Sequence, residues 1–280
     1  ENTRLSSHFY YSDLYYQTPG ALTKAEYDAN PRAARPKAGI FPSADEAKAA
    51  IYDQAFLAGI SLQQKITSAW QNNTAVYGYY FRHNNPTFRN YTRRVEPNVG
   101  ARTNFRYQKN IDNTVLTFNI GGEIQKSFIT SRLYNNVNGA PGAMQTDDEV
   151  NYTQGFLFGQ GRVQTINGWV LTAGASFNRS RVGFDRFNVT PAQSESRSFK
   201  SEIAPRLALM KKLNNTFAVY GSVERGFSSP ASAELLPTSG VFNTKLHAES
   251  GVNYELGAKG NFVQNRLFFD ISVFHYRLKN

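Results

Sequence analysis

The chain has 280 residues without cysteine, 21 phenylalanines and 16 tyrosines, and 31 basic against 21 acidic side chains give a formal net charge of +10. The lack of cysteine fits an oxidising compartment, and the sequence contains no run of about eighteen apolar residues that would predict a membrane-spanning helix. Because the basic residues are scattered and no nucleic-acid-binding motif occurs, nucleic acid is not an expected partner.

The first fifty-odd residues predict one strand followed by a long, partly helical loop. Residues 3–16 are rich in aromatic side chains, and apolar and polar residues alternate there, although imperfectly. This pattern predicts a strand. The Thr-Pro-Gly sequence at 18–20 ends this strand. Two capping boxes follow, Thr23 with Glu26 and Ser43 with Glu46. The helices that they predict span residues 24–29 and 44–54.

The clearest pattern is a hairpin between Asn98 and Ile129. Its first strand alternates between apolar or half-apolar residues and small or polar ones, turn-forming residues occupy 109–113, and the alternation then resumes. One face of each strand therefore favours an apolar environment and the other favours water. The apolar positions include Val99, Ala101, Thr103, Phe105, Tyr107, Leu116, Phe118, Ile120, Ile124 and Phe128.

The same plan is repeated along the rest of the chain. Further strands are predicted around residues 56–66, 75–81, 152–164, 169–177, 203–209, 217–223, 254–262 and 267–278. Tight turns are predicted at residues 70–73, 109–113, 165–168, 212–215 and 263–265. Long loops are predicted at residues 82–97, 130–150, 179–198 and 228–250. About eleven strands are thus joined alternately by tight turns and long loops.

Strand length and loop asymmetry predict an all-β fold, an antiparallel transmembrane β-barrel segment with long extracellular loops and short periplasmic turns. A strand of ten alternating residues rises about 3.3 Å per residue, so at a tilt of about 45° it crosses roughly 25 Å, the thickness of a bilayer's apolar core. Trp70 and Trp169 at the short-turn ends of their strands fit an interfacial girdle. A large soluble sandwich or propeller is the alternative, but its strands would be shorter.

The long loops contain arginine and tyrosine side chains that suit an anionic ligand. Arginine binds carboxylates bidentately, and tyrosine adds a flat surface and a hydroxyl group. Anionic lipopolysaccharide head groups or acidic neighbours are the alternative partners of these arginines. The strand residues Arg102 and Arg106 are expected to face the lumen and to pair with a plug or with Glu123. The candidate ligand-binding residues are Arg82, Arg89, Tyr91, Arg93, Arg94, Arg179, Arg181 and Arg186.

The sequence contains no motif for a metal site or for catalysis. The four histidines have no ligand-like spacing, and cysteine is absent, so neither a metal nor a cofactor is expected. No local motif marks a nucleophile, and an enzyme is therefore not expected. The acidic run at 147–149 has the chemistry of a calcium ligand, but such a run in a loop is usually only solvated.

Three stretches resemble the barrel segments of TonB-dependent outer-membrane receptors, most closely the ferric-citrate and ferric-siderophore branch. They are YYQTPGALT at residues 15–23, RGFSSP at 225–230 with ELLP at 234–237, and ESGVNYELGAKG at 249–260. Receptors of this family have an N-terminal plug with a TonB box and a barrel of about 22 strands. The resemblance therefore implies that residues 1–280 form one partial β-barrel domain, with the plug domain and the C-terminal strands outside this chain.

The resemblance also implies a function. It implies import of an anionic ferric chelate, either citrate or a siderophore, driven by TonB through the plug and without any bond change. The implied location is the outer membrane of a Gram-negative bacterium, with lipopolysaccharide as a neighbour. The alternatives are an oligosaccharide or cobalamin importer, in which aromatic stacking would matter more than arginine, and a barrel enzyme or adhesin. Because open sheet edges leave backbone groups unpaired in lipid, this segment alone is not expected to be stable in a membrane.

Overall fold

A computed structural model describes residues 2–230, 234, 243, 246–262 and 266–279. Long strands dominate these residues, and a short helix lies in the first connection. The elements are β1 (Thr3–Gln17), α1 (Lys24–Ala29), β2 (Ala50–Lys65), β3 (Trp70–Pro86), β4 (Asn90–Ile111), β5 (Thr114–Val137), β6 (Ala140–Thr165), β7 (Trp169–Arg186), β8 (Gln193–Ser198), β9 (Glu202–Lys212), β10 (Phe217–Ser228), β11 (Glu249–Phe262) and β12 (Leu267–Lys279).

The described strands form a single antiparallel sheet in which sequence neighbours pair. The order is β1-β2-β3-β4-β5-β6-β7-β9-β10-β11-β12. The short strand β8 pairs with the C-terminal half of β7, and β9 pairs with its N-terminal half. The predicted all-β meander of about eleven main strands is therefore confirmed. β1 and β12 lie at the two ends of the sheet.

Alternate side chains give the sheet one apolar and one polar face, as predicted. The side chains of Ile124 on β5, Leu157 on β6 and Leu256 on β11 are 60%, 66% and 71% exposed. A continuous surface of exposed apolar side chains is unfavourable in water and is typical of a surface that contacts lipid. We call this surface the outer face, and the opposite, polar surface the inner face.

Polar side chains on the inner face bind one another across neighbouring strands. The Tyr77 hydroxyl donates to Glu123 Oε1 at 2.6 Å, and Arg102 Nη1 lies 3.8 Å from Glu123 Oε2. The predicted pairing of Arg102 with Glu123 is confirmed, whereas Arg106 donates to the Gln108 side chain. A polar, hydrogen-bonded inner wall is what a barrel with a filled or hydrated lumen requires.

The long connections are ordered hairpins where irregular loops were predicted at 82–97 and 130–150, so this part of the prediction is wrong. β3 runs to Pro86 and β4 begins at Asn90, while Asn138 and Gly139 alone join β5 to β6, both with positive φ. The predicted loop at 179–198 is likewise occupied in part by β7 and β8. Beyond the apolar band neither face of a strand has to be apolar, so the alternation disappears although the backbone ladder continues.

Of the two predicted helices, the first is confirmed and the second is wrong. α1 has both hydrogen bonds of its capping box. The second capping box also forms, since Glu46 N donates to Ser43 Oγ at 3.1 Å and Ser43 N donates to Glu46 Oε2 at 2.9 Å. The turn ends at Lys48, where φ is 47°. β2 then begins at Ala50, because residues 50–65 pair with strands on both sides.

The tight turns are mostly where the sequence predicts them. Those at 109–113, 165–168 and 212–215 are confirmed to within a residue or two. The first turn lies at 66–69, not at 70–73, because Asn72 is a strand residue whose Nδ2 donates to Thr103 Oγ1 at 3.0 Å on the neighbouring strand. The predicted turn at 263–265 and most of the predicted loop at 228–250 lie outside the described residues.

Exchanging glycine for alanine tests the register of β4, β5 and β6. A Cβ on Gly121 would lie 2.3 Å from the Thr103 carbonyl oxygen and 2.9 Å from the Phe158 ring. We expect Gly121→Ala to lower the free energy of unfolding of the detergent-solubilised protein by about 1–3 kcal/mol, because the sheet has to open to accept the methyl group. Urea titration followed by tryptophan fluorescence measures the change.

Gly159→Ala is the matched control on the outer face. A Cβ on Gly159 would meet nothing within 4 Å, so we expect a change of less than about 0.5 kcal/mol. Equal losses of stability in the two variants would contradict the register.

Candidate functional site

The eight candidate residues lie in or next to the hairpin extensions, but alternation divides them between the two faces. Arg89 lies in the connection between β3 and β4, and the other seven lie in strands. Arg179 and Arg181 continue the outer row of β7 that contains Phe177, and Arg82 and Arg93 occupy the corresponding outer positions of β3 and β4. Tyr91 lies in the same row of β4 as Arg93, so five of the eight belong to the outer face.

Two further arginines point to the inner face and are already neutralised. Arg186 Nε and Nη2 donate to Asp148 Oδ1 and Oδ2 at 2.6 and 2.8 Å, and the two side chains are only 12% and 6% exposed. These hydrogen bonds, which Asp148 accepts, raise the pKa of Arg186. Arg94 donates through Nε to Glu96 Oε1, in a single contact that is more exposed. Neither guanidinium is available to a ligand without breaking its ion pair.

The acidic run at 147–149 is structural. It lies in β6 instead of a loop, and Asp147 accepts from Arg132 Nε at 2.9 Å while Asp148 binds Arg186. Within the described residues, no group of three or more histidine, aspartate or glutamate side chains is placed to hold a metal ion. Two of the three carboxylates that the sequence offered for calcium, Asp147 and Asp148, therefore pair with arginines.

An aromatic and basic cluster lies at the tip of the β3–β4 hairpin, and we call it the tip cluster. Arg35 Cζ lies 4.0 Å from the centroid of the Phe88 ring. Arg89 Cζ lies 4.5 Å from the Phe41 centroid and 5.2 Å from the Phe88 centroid, and the two rings meet edge to face at 5.8 Å. Two guanidinium groups thus share one aromatic ring, an arrangement that cation–π attraction stabilises.

The segment 18–49 is folded onto the hairpin tips, which brings Arg35 to Arg89. Within the segment, Arg35 N donates to the Pro19 carbonyl at 2.8 Å and Arg35 Nη1 donates to the Pro42 carbonyl at 2.7 Å. Asn136, from the tip of the β5–β6 hairpin, donates through Nδ2 to the carbonyls of Ala47 and Thr87 at 2.7 and 2.6 Å. One side chain therefore ties the segment to both hairpins.

The tip cluster could not be assembled from the sequence. Phe88 and Arg89 are neighbours in the chain, but Arg35 and Phe41 are some fifty residues away in a segment without periodicity. Their contact depends on Asn136 and on how far the hairpins extend, and neither has a local sequence signal. The sequence therefore indicated Arg89 as a candidate but not Arg35.

A second group of aromatic and basic side chains lies further along the same hairpins. Arg93 Cζ is 5.6 Å from the centroid of Tyr91 and 5.8 Å from that of Tyr134. Tyr91 is only 8% exposed, so it supports Arg93 and is not itself an exposed contact surface. This group and the tip cluster thus each combine guanidinium groups with aromatic rings.

The arrangement defines a class of protein. None of the helices in the described part of the chain has the length and apolar character needed to cross a bilayer. Long antiparallel strands, an apolar outer face, a polar inner wall and extended hairpins at one end are the features of a transmembrane β-barrel wall. The family model described as TonB dependent receptor-like, beta-barrel matches residues 1–280. The chain belongs to this family, whose members are receptors and not enzymes.

Several solved structures have the same fold. The ferric citrate transporter FecA in its unliganded form is 16% identical with a TM-score of 0.82, and the match covers 99% of this chain and 41% of that one. The alcaligin receptor FauA from Bordetella pertussis is 16% identical with a TM-score of 0.72, covering 99% and 41%. The siderophore receptor PiuA from Acinetobacter baumannii is 11% identical with a TM-score of 0.76, covering 98% and 47%.

These similarities establish the fold. The chain spans less than half of the length of each of these receptors. No curated protein matches the chain.

Two neighbouring aspartates on β6 give a prediction about the contacts of this strand with β5 and β7. Replacing Asp148 by asparagine removes the carboxylate that pairs with the largely buried guanidinium of Arg186, so we expect Asp148→Asn to cost on the order of 3 kcal/mol of folding free energy. The pair of Arg132 with Asp147 is more exposed, at 47% and 20%, so we expect Asp147→Asn to cost less than about 1 kcal/mol. Urea titration of both variants measures the difference, and a larger loss for Asp147→Asn would contradict the described burial.

Proposed function

We propose that this chain forms part of the barrel wall of an outer-membrane receptor of a Gram-negative bacterium that binds an anionic ferric chelate, either ferric citrate or a ferric siderophore. TonB supplies the energy for import through a plug domain. The chelate is the transported substrate, and the receptor changes no bond in it. The tip cluster is the observation that carries the proposal.

The charge of the tip cluster favours an anion. Arg35 and Arg89 lie against the same ring, and among the described residues neither guanidinium forms an ion pair with a carboxylate. Two positive charges this close repel each other in the absence of a ligand. A carboxylate that binds both relieves the repulsion and accepts charge-assisted hydrogen bonds, which are about twice as strong as neutral ones.

The position and the composition of the tip cluster also suit a chelate. The tip cluster lies at the far end of the β3–β4 hairpin, on the side of the sheet with long connections, where a barrel receptor meets its ligand. Arginine provides directional binding of carboxylates, and the flat rings of Phe41 and Phe88 provide apolar contact to the arms of a chelate. Of the eight residues expected from the sequence, Arg89 best fits the role of a ligand contact, together with Arg35.

The inner wall is compatible with a plug. Its polar rows include Asn98 and Asn104 on β4 and Asn253 on β11. A polar, hydrogen-bonded wall suits a lumen that is filled by a domain or by water.

The similar structures support a ligand of this class. Those proteins are a ferric citrate transporter, an alcaligin receptor and a siderophore receptor. The pair of arginines favours one with free carboxylates over a neutral one.

Removing the two charges of the tip cluster tests the proposal. We expect Arg35→Gln/Arg89→Gln in the full-length receptor to weaken the binding of ferric citrate, or of another ferric chelate bearing carboxylates, at least about tenfold. The reason is the loss of two charge-assisted contacts. Quenching of intrinsic fluorescence by the chelate measures the dissociation constant.

Arg32→Gln is the matched control, because Arg32 is exposed and lies in the same segment. Its dissociation constant should stay within about twofold of the wild type. Tight binding of neutral oligosaccharides or cobalamin with no binding of any anionic chelate would overturn the proposal.

A further inference from the structure

A groove on the outer face lies between β5, β6 and β7, at the level where the apolar band ends. Its volume is about 480 Å³. The residues that line it from the outer positions of the three strands are Ile124, Thr153, Gly155, Leu157, Phe177, Arg179 and Arg181. The groove is open to the surroundings of the barrel and not to its lumen.

The groove exists because Gly155 has no side chain. Gly155 pairs with Ile124 on one side and with Arg179 on the other, so a larger residue would fill the centre of the groove. A Cβ at this position would lie 3.3 Å from the Glu123 carbonyl oxygen and 3.9 Å from Ile124 Cγ1. A side chain here therefore requires the Glu123 carbonyl to shift by a few tenths of an ångström.

The two ends of the groove differ in chemistry. Towards the short turns it is lined by Ile124, Leu157 and Phe177, whose side chains are 60%, 66% and 47% exposed. Towards the hairpin tips it is bordered by Arg179 and Arg181. On β7, Trp169 to Phe177 spans eight steps of about 3.3 Å, or roughly 20 Å of membrane depth at the usual tilt, close to the full apolar band. The arginines therefore lie at the level of lipid head groups.

The basic end of the groove includes a third cation, Lys126. Lys126 pairs with Thr153, and Thr153 pairs with Arg181, so Lys126 and Arg181 lie in one row, about 10 Å apart across two strand spacings. Within the described residues, none of these three cations forms an ion pair with a carboxylate. By contrast, Arg132 and Arg186, higher on the same hairpins, are each paired with an aspartate. The positive charges of Lys126, Arg179 and Arg181 are therefore available to a partner outside the sheet.

We propose that this groove is a binding site for a phosphate-bearing acylated lipid of the outer leaflet. One acyl chain lies along Ile124, Leu157 and Phe177, where the missing side chain of Gly155 makes room for it. The phosphate is bound by Arg179 and Arg181, with Lys126 adding long-range attraction. Two of the arginines that the sequence offered for a soluble ligand thus bind membrane lipid. This proposal rests on the fold and on the outer face, and it is independent of the chelate.

Lipid titration of the purified full-length receptor, followed by native mass spectrometry, tests the site. The probes are lipid A carrying its phosphates, lipid A from which the phosphates have been removed, and inorganic phosphate. We expect the first to bind at least about tenfold more tightly than the other two, because only it offers both an acyl chain and charge. Equal binding of dephosphorylated lipid A, or binding of inorganic phosphate alone, would overturn the proposal.

Two variants locate the site, and each has a control of the same type. We expect Arg179→Gln/Arg181→Gln and Gly155→Leu each to weaken the binding of phosphorylated lipid A about tenfold or more, the first by removing charge and the second by filling the groove.

Arg106→Gln/Arg162→Gln removes the same charge from the inner face, and Gly159→Leu adds the same side chain to the outer face of β6 away from the groove. Both controls should bind like the wild type. A loss as large in the controls, or none in the two groove variants, would show that lipid binds elsewhere.

Discussion

The hydrogen-bonding requirement of a backbone in lipid governs this structure. A peptide group that reaches the bilayer core without a partner costs several kcal/mol, so each crossing strand must be paired on both sides. The long ladders from β1 to β12 meet that requirement except at the two outermost edges of the sheet. Because pairing is supplied by the backbone, the side chains are free to alternate, and one sheet can present an apolar face to lipid and a polar wall to a lumen.

Function is divided between the two faces and the hairpin tips by the same alternation. The inner wall uses its polar groups in contacts such as Tyr77 with Glu123. The hairpin tips combine Arg35 and Arg89 with aromatic rings, and the outer face combines Arg179 and Arg181 with a gap at Gly155. Residues that look alike in the sequence therefore meet different partners, because a shift of one position along a strand moves a side chain to the other side of the sheet.

The sequence predicted the membrane-crossing part of the fold well, because lipid imposes a period of two on Val99 to Phe128 and on Trp169 to Phe177. It failed where that constraint ends. Residues 82–97 and 130–150 continue as strands in water, where polar side chains on both faces conceal the alternation. For the candidate site, the arginines were found by their residue type, but their division between the faces requires the strand register. The contact of Arg35 with Phe88 depends on the fold of segment 18–49, which has no local signal.

The claim on which this account depends is that odd positions of β7 face lipid and even positions face the lumen. The chain has no cysteine, so single cysteines carrying a spin label can be placed at Leu171, Thr172, Ala175, Ser176, Phe177 and Asn178 in the full-length receptor reconstituted in bilayers. The account predicts that labels at 171, 175 and 177 are relaxed mainly by oxygen and those at 172, 176 and 178 mainly by a water-soluble nickel complex. Accessibility without this alternation, or with the two sets reversed, would contradict it.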